Sequence, residues 1–276
     1  MAINDLNLLK DQLRLAGLRP RKALGQNFLY DAASLAQIAS VIDLSGMRTV
    51  LEIGPGLGTL TRLLSQKAGQ VIAVELDLEM ANFVQNIDLP NVQLVRQNIM
   101  EFDFGKLPKN YVVVANIPYY ATSAIIRLLL ECTNPPKESV LLVQKEVAER
   151  IVAAPGQMTV LAFSVQYYAK ASIAGLVEAS KFYPVPKVDS AILHLETYLL
   201  PQFVADRSKL FRLIKAGFGE KRKQLKNALA GGLQISAAKS LELIEQASIP
   251  ANARAQELNM AHWQALYNVA ISQGVI

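Results

Sequence analysis

Apolar positions between residues 49 and 200 follow two alternating patterns. Segments with apolar residues at helical spacing predict helices at 59–68, 77–87, 122–132 and 145–153. Short apolar runs between them predict strands at 49–53, 70–75, 92–96, 111–115, 139–143, 161–167 and 189–197. Strands that alternate with helices in this way indicate an α/β fold with a mostly parallel, seven-stranded sheet covered on both faces.

The two ends of the chain differ from this middle part. Before it, helical spacing predicts helices at 3–15 and 31–42, and the aperiodic segment 19–29 is expected to be extended. After Pro201 the pattern predicts only short helices, at 206–217, 221–230, 236–246 and 260–272, with Gly231-Gly232 as a break. We therefore expect an α/β domain over residues 1–200 and a small all-helical domain over residues 201–276. A stretch rich in Pro and aromatic residues, 175–187, is predicted to be a loop.

Composition narrows the protein class. Hydrophobic residues make up 51% of the chain and charged residues 18%, which is typical of a globular protein. No apolar run approaches the roughly 18 residues of a membrane span, and the first 15 residues mix charges with leucines, unlike a secretory signal. One cysteine, Cys132, and two histidines predict neither an internal disulfide nor a zinc site. We expect a cytoplasmic, metal-free monomer.

The net charge of +5 is modest, but the bases are clustered. One cluster lies near the amino terminus and comprises Lys10, Arg14, Arg19, Arg21 and Lys22. A second lies in the predicted helical domain and comprises Lys215, Lys221, Arg222, Lys223 and Lys226. Such clusters fit a polyanionic partner, and a solvated helix face is the alternative.

The predicted strand at 49–53 runs into a glycine-rich turn. Gly54, Gly56 and Gly58 precede a helix that would direct its free N–H groups towards a ligand. Glu75 ends the next predicted strand, where a carboxylate can accept hydrogen bonds from both ribose hydroxyls. The G-x-G-x-G spacing after Glu52 favours S-adenosylmethionine, and NAD, another nucleotide or an ordinary turn are the alternatives.

A second motif follows the predicted strand at 111–115. Asn116-Ile117-Pro118-Tyr119 would lie beside the glycine turn at the carboxyl edge of the sheet. The Asn116 side-chain oxygen and the Pro118 carbonyl could accept the two hydrogens of an exocyclic base amine, and Tyr119 could stack on the base. A base in a duplex cannot reach such a pocket, so the substrate would be single-stranded, looped or flipped out. A plain turn after a strand is the alternative.

These motifs resemble those of the KsgA-type adenine dimethyltransferases of small-subunit (16S-type) ribosomal RNA. The resemblance rests on GQNFL at 25–29, EIGPGLGTLT at 52–61, Glu75, NIPY at 116–119, LVQKEVAERI at 142–151, FYPVPKVDSA at 182–191 and EKRKQLKNAL at 220–229. It implies a Rossmann-like methyltransferase domain followed by a helical RNA-binding domain. The macrolide-resistance methylases of large-subunit ribosomal RNA are a looser match.

The resemblance also implies roles for individual residues. The cofactor-binding positions would be Asn27, Leu29, Gly54, Gly56, Glu75, Asn98 and Asn116. Tyr119 and Phe182 would sandwich the target base, although Phe182 could instead pack its loop against the protein. The RNA phosphates would be bound by Lys221, Arg222, Lys223 and Lys226.

Some positions depart from the family pattern. Asn98 stands where the family has Asp, which should weaken the bond to the cofactor's adenine amine by about 1 kcal/mol. Ala115 stands where the family often has the smaller Gly, and Tyr120 stands where it often has Asn. Residues 155–165 lack the Tyr-Gly step that usually precedes the predicted strand there. The expected function is dimethylation at N6 of two adjacent adenosines in a hairpin loop of small-subunit ribosomal RNA during ribosome biogenesis. The alternatives are a large-subunit adenine methylase and a weakly catalytic RNA-binding assembly factor.

Overall fold

The computed structural model describes residues 5–46, 48–220 and 223–276. The chain divides into two compact units: the first runs to Ala148 and adds Lys170–Thr197, and the second comprises Glu149–Ala169 and Tyr198–Ile276. The later segment of the second unit begins at Tyr198, close to the domain boundary that the sequence predicts at residue 200. The segment Glu149–Ala169 is an addition to that unit which the sequence did not suggest.

The first unit is built on a seven-stranded sheet and a small two-stranded one. In chain order the strands are β1 (Phe28–Leu29), β2 (Thr49–Ile53), β3 (Gln70–Glu75), β4 (Val92–Arg96), β5 (Val112–Asn116), β6 (Glu138–Gln144), β7 (Ala169–Val177), β8 (Phe182–Tyr183) and β9 (Ser190–Thr197). The large sheet has the order β4-β3-β2-β5-β6-β9-β7, and β1 pairs with β8. The predicted mostly parallel, seven-stranded sheet is thereby confirmed.

The parallel part of the sheet explains where a ligand can bind. β2 runs parallel to β3 and to β5, while β9 runs antiparallel to β6. The strand order reverses between β2 and β5, so the loops after these two strands diverge and leave a crevice at their carboxyl ends. The strands themselves are almost continuously buried runs of Val, Leu and Ile, as expected for a sheet covered on both faces.

Helices of the first unit lie where the sequence predicts them, although the helix predicted at 31–42 ends at Ile38 and residues 3 and 4 of the first predicted helix lie outside the described residues. They are α1 (Leu6–Leu15), α2 (Ala32–Ile38), α3 (Thr59–Lys67), α4 (Leu78–Gln85), α5 (Thr122–Glu131) and α6 (Lys145–Ile151), within which the chain passes into the second unit. Aspartates cap three of them: the side chains of Asp5, Asp31 and Asp77 accept hydrogen bonds from free N–H groups of the first turns of α1, α2 and α4.

One predicted strand is wrong. Of residues 161–167, all but Tyr167 lie in helix α7 (Val160–Gln166), which Thr159 caps and which buries Phe163 in the core of the second unit. A short apolar run without clear alternation fits a buried helix as well as a strand, so periodicity could not separate the two. The seventh strand is instead β7, whose Ala, Ser and Gly residues have little strand propensity and extend into the predicted loop.

The second unit is helical and packs around aromatic side chains. Besides α7, it contains α8 (Arg207–Phe218), α9 (Leu225–Leu233), α10 (Ala237–Gln246) and α11 (Met260–Ser272). The fully buried Trp263 ring stacks on Phe218 with centroids 5.5 Å apart and meets Phe163 edge-on at 6.0 Å. None of the helices in the described residues is long and apolar enough to cross a membrane.

The predicted helix break at Gly231-Gly232 is also wrong, since α9 continues through both glycines. A Cβ on Gly232 would lie 2.6 Å from Cβ of Ala216 in α8, so the missing side chain allows the two helices to pack closely. Close packing against α8 offsets the cost of a glycine inside a helix.

Replacing Gly232 by Ala should lower the free energy of unfolding by about 1–3 kcal/mol, because the new methyl group would overlap Ala216. Gly231→Ala is the matched control: its Cβ would lie 3.9 Å from Glu220 Oε1, an ordinary packing distance. That variant should gain about 0.5–1 kcal/mol from the better helix former. Urea unfolding followed by circular dichroism checks both, and equal shifts in one direction would contradict this packing account.

Candidate functional site

A cavity of about 250 Å³ lies at the carboxyl ends of β2, β3 and β5. Most of its wall comes from five segments: residues 24–29, the end of β2 with the glycine turn after it, residues 74–76 at the end of β3, residues 97–100 after β4, and the 116–121 turn after β5. Among the predicted cofactor and substrate residues, the cavity wall brings together Asn27, Leu29, Gly54, Gly56, Glu75, Asn98, Asn116, Pro118 and Tyr119.

The glycine turn brings backbone close to this cavity. Gly54, Gly56 and Gly58 have φ values of 70°, 55° and 71°, in the left-handed region that favours glycine. A Cβ on Gly56 would lie 2.9 Å from Cε1 of Phe28. A side chain here would therefore displace residues 24–29, which line the cavity and are called here the covering segment. Helix α3 begins directly afterwards, and its first residues, Thr59 and Leu60, line the cavity. The positive end of the helix dipole therefore lies at the cavity wall.

Both oxygens of Glu75 are held by backbone N–H groups. Gly56 N donates to Oε2 at 3.2 Å, and Asp77 N donates to Oε1 at 2.8 Å. Burial raises the pKa of the carboxyl, while these two hydrogen bonds lower it. Each carboxylate oxygen retains a lone pair, so Glu75 can still accept a hydrogen bond from a ligand hydroxyl at either oxygen.

Glu52 is the second acid in the cavity wall, and it is 1% exposed. Burial raises its pKa to about 8 and the charge on Glu75 adds to the effect, while the neighbouring Thr61 hydroxyl lowers the pKa, so the carboxyl is mostly protonated at neutral pH. Its Oε2 atom has no hydrogen-bond partner in the part of the chain that the structure describes. A buried polar atom without a hydrogen-bond partner beside a cavity suits a ligand that supplies a hydrogen-bonding group there. The residues present therefore fit the predicted cofactor.

Asn116 is oriented by the segment that covers the cavity. Its Nδ2 donates to the backbone carbonyl of Asn27 at 3.1 Å. Because a carbonyl only accepts, this contact settles which way the amide is turned. The side-chain oxygen Oδ1 is therefore the atom that faces away from Asn27 and serves as an acceptor.

The turn after Asn116 positions Tyr119. The carbonyl of Pro118 accepts a hydrogen bond from Ala121 N at 3.0 Å, which begins a single turn of 3-10 helix. The hydroxyl groups of Tyr119 and the fully buried Ser190 are hydrogen-bonded at 2.7 Å. Burial raises the pKa of Tyr119, which keeps the phenol neutral. Ser190 therefore fixes the ring at the cavity wall, a role that the sequence motif alone did not reveal.

Phe182 lies elsewhere than the sequence interpretation expected. Its side chain is 1% exposed, belongs to the apolar core of the first unit and is not part of the cavity wall. It lies in β8, opposite Leu29 of β1, so the Phe182 ring supports the covering segment from beneath. The structure does not bring Tyr119 and Phe182 together as a sandwich, and the alternative interpretation of a packed loop describes the observed placement.

Asn98 combines a local structural role with a place in the cavity wall. Its Oδ1 accepts a hydrogen bond from Met100 N at 3.1 Å and caps the 3-10 turn Ile99–Glu101. Its remaining lone pair can accept a second hydrogen bond from a ligand amine. Leu76 and Met100, which are 52% and 47% exposed, line the same cavity and offer apolar surface for a planar ring.

Two of the predicted RNA-binding residues, Lys221 and Arg222, lie outside the described residues. Lys223 is exposed and ion-paired with Glu220. Helix α9 begins only at Leu225, so Lys223 precedes it and Lys226 occupies its first turn. The helix predicted at 221–230 is therefore wrong for residues 223 and 224, and its first two positions lie outside the described residues; of the two described bases, only Lys226 lies on α9.

Comparisons with known proteins identify the relatives of this chain. The model of the family described as ribosomal RNA adenine dimethylase matches residues 17–271. Ribosomal RNA small subunit methyltransferase A of Dehalococcoides mccartyi (strain CBDB1) is 41% identical over 266 residues, covering 93% of this chain and 90% of the relative.

Two solved structures are similar over most of the chain. A dimethyladenosine transferase from Plasmodium falciparum has a TM-score of 0.76 and 26% identity, covering 90% of this chain and 98% of its own. The 23S rRNA methyltransferase ErmE has a TM-score of 0.70 and 27% identity, with 88% and 98% covered. With a family model that spans most of its length and a relative at 41% identity, this chain belongs to the ribosomal RNA adenine dimethylase family.

Proposed function

We propose that this protein dimethylates N6 of two adjacent adenosines in a hairpin loop of small-subunit ribosomal RNA, and that the cavity beside β2 and β5 is its active site. Family membership makes the chain an S-adenosylmethionine-dependent methyltransferase of ribosomal RNA adenines. The single observation that carries the site assignment is the convergence of Glu75, the glycine turn and Asn116 in one cavity wall.

In this proposal the covering segment and the glycine turn hold the cofactor. Glu75 accepts hydrogen bonds from the ribose hydroxyls, Asn98 accepts one from the adenine amine, and Leu76 and Met100 contact the adenine ring. The partnerless Oε2 of Glu52, within the described residues, lies beside the turn that would hold the methionine portion. When bound, S-adenosylmethionine supplies a methyl group on an electron-poor sulfonium.

The residues of the 116–119 turn would orient the target amine. Asn116 Oδ1 accepts one amine hydrogen, and a backbone carbonyl of the turn accepts the other. Pro118 O has one lone pair left after its bond to Ala121, and the carbonyl of Ile117, which also lines the cavity, is a second candidate. Two acceptors on the hydrogens leave the nitrogen lone pair directed at the methyl group. The protein contributes position and electrostatics rather than a strong base.

Tyr119 would stack on the target base. Its ring lines the cavity beside Asn116, and the bond to Ser190 limits its rotation. Aromatic stacking on a base is worth about 1–3 kcal/mol and tolerates any base, so selection of adenine falls to the acceptors of the 116–119 turn. The target must leave its stack to reach this ring, which favours a hairpin loop over a duplex.

The relatives favour the small subunit over the alternatives. The relative at 41% identity is named for the small subunit, whereas the 23S rRNA methyltransferase ErmE is 27% identical. Purified protein with tritiated S-adenosylmethionine and immature small subunits should label N6,N6-dimethyladenosine. Label in large-subunit RNA would favour the resistance-type methylase. Cofactor binding without label, beside an active control enzyme, would favour a weakly catalytic assembly factor.

The remaining assignments concern the second unit and its surroundings. The basic run Lys221, Arg222, Lys223 and Lys226 would bind RNA phosphates, supported by its density of charge and by the family resemblance. The immature small subunit is the proposed partner, and the cytoplasm, where ribosomal subunits are assembled in bacteria, is the proposed location. The protein would act on the immature small subunit as a monomer.

Replacing Asn116 by Ala should lower the single-turnover rate at saturating cofactor roughly 10²–10³-fold, because one preorganised acceptor is removed. Asn116→Asp is the matched control: it keeps an acceptor oxygen but cannot donate to the Asn27 carbonyl. Both variants should bind the cofactor somewhat more weakly, and Asn116→Asp should keep the larger rate. An Ala variant within a few-fold of the parent rate would exclude Asn116 as an acceptor of the amine.

Replacing Lys221, Arg222, Lys223 and Lys226 together by Ala should weaken RNA binding and leave cofactor affinity unchanged. For each phosphate that is no longer neutralised, the slope of log affinity against log salt should fall by roughly 0.7–0.9. RNA affinity measured at several salt concentrations checks this. The matched control replaces Lys106, Lys109, Lys170 and Lys239, which removes the same charge from other places in the chain. If both quadruple variants kept the parent's slope, the basic run would be solvated surface only.

A further inference from the structure

Asp77 is a buried carboxylate that receives contacts from a distant part of the chain. Its side chain is fully buried, and Gln26 Nε2 donates to Oδ2 at 3.0 Å. Arg21 approaches Oδ1 with a guanidinium nitrogen at 3.4 Å. A buried charge is costly without partners, so these two contacts hold residues 21–29, here called the strap, against the protein.

Gln26 ties this contact to the internal structure of the strap. While Nε2 reaches Asp77, Oε1 accepts a hydrogen bond from Arg21 N at 2.8 Å. The backbone of Gly25 donates to Lys22 O at 3.0 Å in the same tight turn. Arg21 also forms an ion pair of 2.9 Å with Glu79. The turn at the start of the strap and its attachment to Asp77 therefore form and break together.

The other side of Asp77 belongs to the proposed ribose site. Its backbone N–H donates to Glu75 Oε1 at 2.8 Å, and its Oδ1 accepts from Glu79 N at the start of α4. One residue thus contacts the strap through its side chain and the ribose-binding carboxylate through its backbone. A shift of Asp77 would move both.

The far end of the strap has separate attachments. The Asn27 carbonyl is bound by Asn116, and Phe28 and Leu29 pair with β8. The cavity wall includes the strap from Leu24 to Leu29. With the far end paired in a sheet, breaking the bonds to Asp77 would release the segment around residues 21–26, next to Glu75.

We propose that Asp77 is a positioning residue that latches the strap, through Arg21 and Gln26, over the cofactor held by Glu75. The cofactor part of this inference rests on the proposed function, whereas the latch itself does not. Closure of the strap and correct placement of the ribose acceptor are then one event. Weakening the latch shortens the lifetime of the bound cofactor.

The first test uses Gln26→Leu and Arg21→Ala, with Arg14→Ala as a control. Arg14 is an exposed base, paired with Asp11 on the same helix. In stopped-flow measurements both latch variants should release S-adenosylmethionine roughly 10-fold faster or more, since Gln26→Leu removes a hydrogen bond to a buried carboxylate and Arg21→Ala removes an ion pair with it. Arg14→Ala should match the parent. Urea unfolding midpoints of Arg21→Ala should fall little, because Asp77 keeps its hydrogen bonds from Gln26 and from Glu79 N. A merely structural role would instead lower the midpoint and leave the release rate unchanged.

Hydrogen exchange of the ligand-free proteins separates the latch from the proposed function. Amides of residues 24–26 should exchange faster in Gln26→Leu and Arg21→Ala than in the parent and Arg14→Ala. Unchanged exchange would overturn the latch whatever the cofactor results. Faster exchange with an unchanged release rate would overturn the positioning role. A parent protein that binds no S-adenosylmethionine, yet shows the expected exchange, would overturn the proposed function and leave the latch standing.

Discussion

The carboxylate of Glu75 joins the parts of this active site, because each of its oxygens accepts a backbone hydrogen bond from a different loop. Gly56 N fixes the glycine turn after β2, and Asp77 N fixes the start of α4. A buried carboxylate needs such donors, and the two loops need a common acceptor to keep their shape. The strap contacts the same point through Asp77. The shape of the glycine turn, the start of α4 and the attachment of the strap therefore all depend on contacts at or next to Glu75.

Asn116 extends this dependence to the proposed chemistry. Its amide spans the cavity from β5 to the Asn27 carbonyl, so the strap that covers the cofactor also determines how the acceptor oxygen is turned. In the proposed mechanism a closed strap and a correctly turned acceptor would then occur together. Tyr119 is held by a hydrogen bond between its hydroxyl and that of Ser190 on β9. The site is built from loops, but Glu75, Asn116 and Tyr119 are each held by a hydrogen bond to another segment of the chain.

Much of this could be predicted from the sequence because the parallel strands are continuous apolar runs and the glycine turn has a distinctive spacing. Gly54, Glu75 and Asn116 were placed at one sheet edge on that basis. Helix α7 and strand β7 were missed, since a short buried helix and an edge strand of small residues give weak periodic signals. Burial of Phe182 and the contacts of Asp77 and Ser190 arise from tertiary packing between distant segments, which no local pattern encodes.

The most direct test of the central role of Glu75 is a calorimetric titration of the parent and Glu75→Gln with S-adenosylmethionine between pH 8 and pH 4.5. An ionised Glu75 accepts the ribose hydroxyls, and its raised pKa means that protonation begins at a higher pH than for an ordinary glutamate, whose pKa is 4.5. The parent should bind roughly 10–100-fold more tightly at pH 8. That advantage should shrink as the pH falls, because protonation makes the parent resemble the variant. Equal affinities at pH 8, or a ratio that stays constant with pH, would contradict the account.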